Sequence, residues 1–124
     1  MMIVEVRTIE VNGIGIAIVE SDKVLISDLQ SALDFMMTVQ YETGYNRIIL
    51  NKSAISEGFF QLSTKLAGEI LQKFVTYAVK LAIVGDFSGY TSKSLQAFIY
   101  ESNKGKDIFF VPDREAAIEK LSKV

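Results

Sequence analysis

Apolar and polar residues alternate imperfectly from Ile3 to Val11, the pattern of a strand with one buried face. Asn12-Gly13 follows. That pair favours the two successive positive φ angles of a type I′ turn. The return segment, Ile14-Gly15-Ile16-Ala17-Ile18-Val19, is almost wholly apolar, as in a strand covered on both faces. The hairpin therefore predicts an interior second strand and a first strand at the sheet edge.

Helical spacing takes over next. Ser27, with Gln30 three residues on, forms a capping box. Leu29, Leu33, Met36 and Met37 then form an apolar stripe, and Gly44 closes the helix in a left-handed C′ position. Arg47–Asn51 reads as a third strand. Leu66, Ala67, Ile70, Leu71 and Phe74 define the inner face of a second helix, and Val79–Val84 a central strand. Residues 85–91 form a turn, and Ser92 caps a third helix with Leu95, Phe98 and Ile99 inward and Asn103-Lys104-Gly105 at its end. Ile108–Val111 is a fifth strand, and Asp113 caps a last helix containing Ala117 and Leu121. The order β-β-α-β-α-β-α-β-α predicts one α/β domain over residues 1–124. Its five-stranded sheet is mostly parallel, with strand one antiparallel at an edge and right-handed crossovers.

Two absences sharpen this picture. The chain of 124 residues contains no histidine and no cysteine. Disulfides, thiolate chemistry, zinc sites built on His or Cys, and Ser-His-Asp or Cys-His machinery are excluded. No cofactor or metal is expected. The 13 basic and 15 acidic residues are interspersed and give a net charge of −2, which argues against nucleic-acid binding. No apolar run approaches the ~20 residues that span a bilayer, and the first residues lack the basic start of a signal peptide. No membrane association and a cytoplasmic location are expected.

In a parallel sheet, functional loops gather beyond the carboxyl ends of the strands. Two such loops are polar: residues 51–58 after strand three and 85–94 after strand four. If those strands are neighbours, the loops form one rim. Its candidate residues for a ligand or partner are Asn51, Ser53, Ser56, Glu57, Asp86, Ser88, Tyr90, Thr91, Ser92 and Lys93. The second loop leads into a helix start, where free N–H groups attract anions. It is not a P-loop, because the positions that would need glycine are Phe87 and Ser92. The plainer reading is a strand-to-helix turn with a serine cap. Glu57 and Asp86 face each other across the rim or stand as separate solvated carboxylates. Glu69 reads as a helix-surface glutamate. Phe59-Phe60 and Met36-Met37 are most simply core, with part of the Phe59-Phe60 and Tyr90 surface open to a partner as the alternative; Tyr77 and Tyr100 fit either setting.

Four stretches carry a family resemblance: Ser-Ala-Ile-Ser-Glu-Gly-Phe-Phe (53–60), Leu-Ala-Gly-Glu-Ile-Leu-Gln-Lys-Phe (66–74), Val-Lys-Leu-Ala-Ile-Val-Gly-Asp-Phe (79–87) and Tyr-Thr-Ser-Lys-Ser-Leu-Gln-Ala-Phe-Ile-Tyr-Glu-Ser-Asn-Lys-Gly (90–105). They are similar to the bacterial domain-of-unknown-function family numbered 4180, which implies an identity and no mechanism. More distantly, the element order resembles the anti-sigma-factor antagonist, or STAS, fold. That resemblance implies a non-enzymatic regulator, switched in its best-known members by phosphorylation of a serine just after the third strand. Ser53 and Ser56 fall in that region, but Asn51-Lys52-Ser53 replaces the usual aspartate-serine pair.

Three functions follow as expectations. The first is a regulatory or protein-interaction domain of the antagonist type acting through the rim. The second is a binding site for a small anionic ligand between the loops. The third is a homodimer.

Overall fold

In the computed structural model, which describes residues 4–61, 63 and 65–124, Asn12 and Gly13 take φ values of 53° and 80°. The chain reverses there between β1 (Val4–Val11) and β2 (Ile14–Ser21), which pair antiparallel from Val11↔Ile14 to Val4↔Ser21. After α1 (Leu29–Thr43) come β3 (Arg47–Asn51) and two short 3-10 turns, Lys52–Ala54 and Glu57–Phe60. Then follow α2 (Leu66–Thr76), β4 (Lys80–Val84), α3 (Lys93–Lys104), β5 (Ile108–Val111) and α4 (Arg114–Ser122). The strands lie in sequence order, β1-β2-β3-β4-β5, with β2 to β5 mutually parallel. The α/β class, the mostly parallel sheet and the antiparallel edge strand are as the sequence pattern predicts.

Sequential order has a geometric consequence. Successive right-handed crossovers that each step one strand along carry their helices over the same face. The larger core therefore holds α1 (Ala32, Phe35, Met36, Val39), α2 (Ala67, Ile70, Leu71, Phe74) and α3 (Leu95) against Ile48, Leu50, Leu81, Ile83, Ile108 and Phe110. The chain leaves the sheet after β5, so α4 is free to cover the other face, where Ala117 and Leu121 pack on Ile16, Ile18, Ile49, Ala82 and Phe109. Both faces of β2 to β5 are covered, which is why these strands read as unbroken apolar runs.

Three details of the sequence reading shift. The N-cap of α1 is Asp28, not Ser27: its carboxylate accepts from the Ser31 N–H, and the Ser31 hydroxyl accepts from the Asp28 N–H. Gln30 instead reaches forward to Asp34. A carboxylate gains more than a hydroxyl at the positive end of the helix, and hydrogen bonding with Ser31 lowers its pKa. The buried stripe of α1 is rotated accordingly, leaving Met37 58% exposed while Met36 is buried. The fourth strand starts at Lys80, with Val79 buried just before it. Ile3 lies outside the described residues.

Candidate functional site

Because β3 and β4 are adjacent and parallel, with Asn51 opposite Val84, the loops that follow them leave side by side at the carboxyl end of the sheet. The β3 loop is fixed by backbone pairing with the segment before α1. Leu25 N–H donates to Ala54 O, Ser56 N–H donates to Ile26 O, and Ile26 and Ile55 form a parallel bridge. Asn51 ties β2 to this loop. Its amide oxygen accepts from the Ser21 N–H at 2.9 Å, and its Nδ2 donates to Ser21 O at 2.7 Å and to Ser53 Oγ at 2.6 Å.

A ladder of aromatic rings supports the rim from below. Phe59 and Phe60 pack edge to face at 5.0 Å, and both are buried. Phe60 stacks on Tyr90 at 5.3 Å and touches Phe87 at 6.0 Å; Phe87 meets Phe110 of β5 at 5.4 Å. Lys52 lies over this ladder, its Nζ 4.8 Å from the Tyr90 ring centre and 5.5 Å from that of Phe60. Its aliphatic stem fits only because residue 85 is glycine: a Cβ there would stand 2.5 Å from Lys52 Cβ.

A carboxylate stands beside the ammonium group. Glu57 Oε1 is 3.8 Å from Lys52 Nζ, and the Tyr90 hydroxyl donates to Glu57 at 3.1 Å. Asp86 adds its charge while accepting from both the hydroxyl (2.6 Å) and the N–H (2.9 Å) of Ser88. Glu57 and Asp86 thus do not form a shared-proton pair; both act on Lys52. The ionisations follow. Asp86 is lowered, first by the Ser88 hydroxyl, then by its N–H, and further by the charge of Lys52. Lys52 is raised, first by the neighbouring Tyr90 hydroxyl and then, against the opposing effect of burial, by nearby charges including those of Glu57 and Asp86. Tyr90 is raised, first by burial. Each shift moves a group away from neutrality, the opposite of what an acid-base catalyst at neutral pH requires.

The remaining predicted site residues divide by what they do. Ser92 accepts from the Leu95 N–H as the cap of α3. Ser53 and Thr91 are exposed, and Ser56 is half-buried. Lys93 is exposed and makes no ion pair among the described residues. Asn51, Lys52, Ser53, Glu57 and Asp86 line a shallow cavity of about 380 Å³. A second, of about 760 Å³, lies beside it between Glu57, Phe60, Tyr90 and the start of α3. Sequence reasoning left out Lys52, the centre of the arrangement, and Gly85, which makes room for it. An isolated glycine directly after a strand was the available signal, since it often marks a close approach. Among the described residues no cluster of three or more metal-binding side chains exists, and no helix is long and apolar enough to cross a membrane.

No curated protein and no solved structure matches the chain. A family model does, across residues 11–121, which include both loops and all of β2 to β5. The chain belongs to the family described as Domain of unknown function (DUF4180).

Proposed function

We propose that this protein is a non-enzymatic interaction domain that recognises a protein partner through the rim at the carboxyl ends of β3 and β4. The observation that carries this reading is the geometry of the rim: the Lys52 ammonium lies over the stacked Phe60 and Tyr90 rings, and Glu57 stands 3.8 Å from it while accepting from the Tyr90 hydroxyl at 3.1 Å. The ionisation shifts, Asp86 down and Lys52 and Tyr90 up, run the same way. A lysine kept charged, a carboxylate kept ionised and a phenol kept protonated form a fixed pattern of charge and donors. Such a pattern serves specificity in recognition and offers neither a general base nor a nucleophile. The rings beneath supply what interfaces favour, aromatic surface beside polar groups. A small anionic ligand is the weaker reading, because Lys52 already pairs with Glu57 and the cavities are open and shallow.

The element order that resembles the anti-sigma-factor antagonists fits the same regulatory reading. Ser53 shares its cavity with Glu57 and Asp86, so a phosphate of charge about −2 on Ser53 adds repulsion there and rearranges the rim. Affinity capture from the cell that makes the protein tests the proposal. Wild type should retain a protein that the double variant Glu57→Lys, Tyr90→Ala loses and that Lys80→Ala, at the far end of β4, keeps. The same proteins on all three baits would reject it.

A further inference from the structure

The two edges of the sheet are finished differently. β5 has only four residues, and its free side is sealed by Asn103: Phe110 N–H donates to Asn103 Oδ1 at 2.7 Å, and Asn103 Nδ2 donates to Phe110 O at 3.1 Å. The side facing β4 is served by Val111, whose O accepts from Gly85 N–H, and by Asp107 just before the strand, whose O accepts from Leu81 N–H. An asparagine amide thus occupies the place a neighbouring strand would take, as Asn51 does at Ser21.

β1 carries no such seal. It is eight residues long, and among the described residues it pairs only with β2 and no side chain bonds its outer backbone groups. A two-residue turn makes Val11 and Ile14 a pair that exchanges both hydrogen bonds. Counting back by twos, Ile9, Arg7 and Glu5 bond to β2, and Glu10, Thr8, Val6 and Val4 point N–H and C=O outward. An open edge of this length is a template for another strand.

We propose that a second copy of this chain pairs there, β1 antiparallel to β1 about a twofold axis at Val6, joining two sheets into one. The charges select this register. Centred on Glu5 or on Arg7, the pairing sets like charges directly opposite each other. Centred on Thr8, it sets Arg7 opposite Ile9 and Glu5 opposite Val11. Centred on Val6, it sets Glu5 opposite Arg7 of the second copy, and Arg7 opposite Glu5, in two symmetric pairs. Both fall at non-hydrogen-bonded positions, where facing side chains lie closest. Glu5 and Arg7 already share a face and lie within reach of each other at 3.1 Å, with side chains 57% and 63% exposed. Val6, an apolar residue 37% exposed on the other face, meets its own copy. Charges on an edge strand usually forbid pairing; this mixed pair permits one register and opposes its neighbours. The surface is separate from the rim, so each can fail without the other.

Light scattering on the full chain at concentrations up to about 1 mM, the weak end of specific association, tests the pairing. Wild type should dimerise. Arg7→Glu should weaken the dimer by about tenfold or more, and the swap Glu5→Arg, Arg7→Glu should restore it, with circular dichroism unchanged throughout. The chain has no cysteine, so Val6→Cys reports the axis directly: facing Cα atoms at about 5.5 Å fall within disulfide reach. Oxidation should link Val6→Cys into dimers and leave Glu10→Cys monomeric. A wild type that stays monomeric at about 1 mM, a dimer indifferent to Arg7→Glu, a loss the swap does not repair, or linking equal in both cysteine variants would overturn the proposal.

Discussion

The two ends of the parallel strands use the same polar chemistry for different ends. At the amino end, charged groups close the structure by bonding to main-chain oxygens. The Arg47 guanidinium donates to Val124 O, and Lys80 Nζ donates to Lys106 O at 2.8 Å beside Asp107 at 3.3 Å. At the carboxyl end, Lys52, Glu57, Tyr90, Asp86 and Ser88 bond chiefly to one another, on a platform of rings. A group bonded to a backbone oxygen fixes the chain. A group bonded to another exposed side chain is available to a third party at small cost, because exposed ion pairs contribute little to stability. The difference supports the proposal that the carboxyl-end rim is the recognition surface.

Removing the platform should break the contrast most. Phe59 is 2% exposed, and Phe59→Ala should cost about 3–5 kcal/mol in denaturant unfolding and blur the NMR signals of the rim. Gly85→Ala comes next. Its methyl group would stand 2.5 Å from Lys52 Cβ, and displacing that stem should cost about 1–3 kcal/mol while the Lys52 contact with Tyr90 is lost. Asn51→Leu should cost a similar 1–3 kcal/mol, about what an unpaired backbone group costs once Ser21 loses its amide partner. Tyr90→Phe is the smallest and most selective change. The ring stack on Phe60 remains, stability falls by about 1 kcal/mol or less, and Lys52 titrates closer to 10.5, its ordinary value. Lys80→Ala at the amino end should leave the rim signals where they are.

The pH dependence follows from the shift directions. Asp86 and Asp28 are lowered, so their contribution is present above 3.8 and is lost as pH falls through their folded values. Lys52 is raised, so its contribution is complete below 10.5 and is lost as pH rises through its folded value. Thermal unfolding should therefore show a plateau from about pH 5 to 9, and Tyr90→Phe should alter only its alkaline side.

Most of the fold was legible because both faces of the sheet are covered. Burial on two sides writes apolar runs such as Ile14–Val19 and Ile108–Val111 into the chain, and Asn12-Gly13 and Gly44 mark where it turns. The shifts came where neighbouring residues offer equivalent local chemistry: Ser27 and Asp28 can each cap α1, and only the tertiary position of the helix decides. Adjacency of the two rim loops followed from parallel strands. The role of Lys52 did not, because periodicity shows neither that Phe60 and Tyr90 stack nor that a side chain lies over Gly85. Asn51 shows the converse: a polar residue at a strand end reads as a ligand group, yet its amide is committed to Ser21.

Whether this rim recognises or reacts is decided most directly by NMR titration of its ionisable side chains. The result expected is an Asp86 midpoint below 3.8, a Tyr90 midpoint above 10.0 and a Lys52 midpoint above 10.5, with none of the three changing charge near neutral pH. A carboxylate, lysine or phenol of the rim titrating near pH 7 would contradict the recognition reading and put acid-base chemistry in its place.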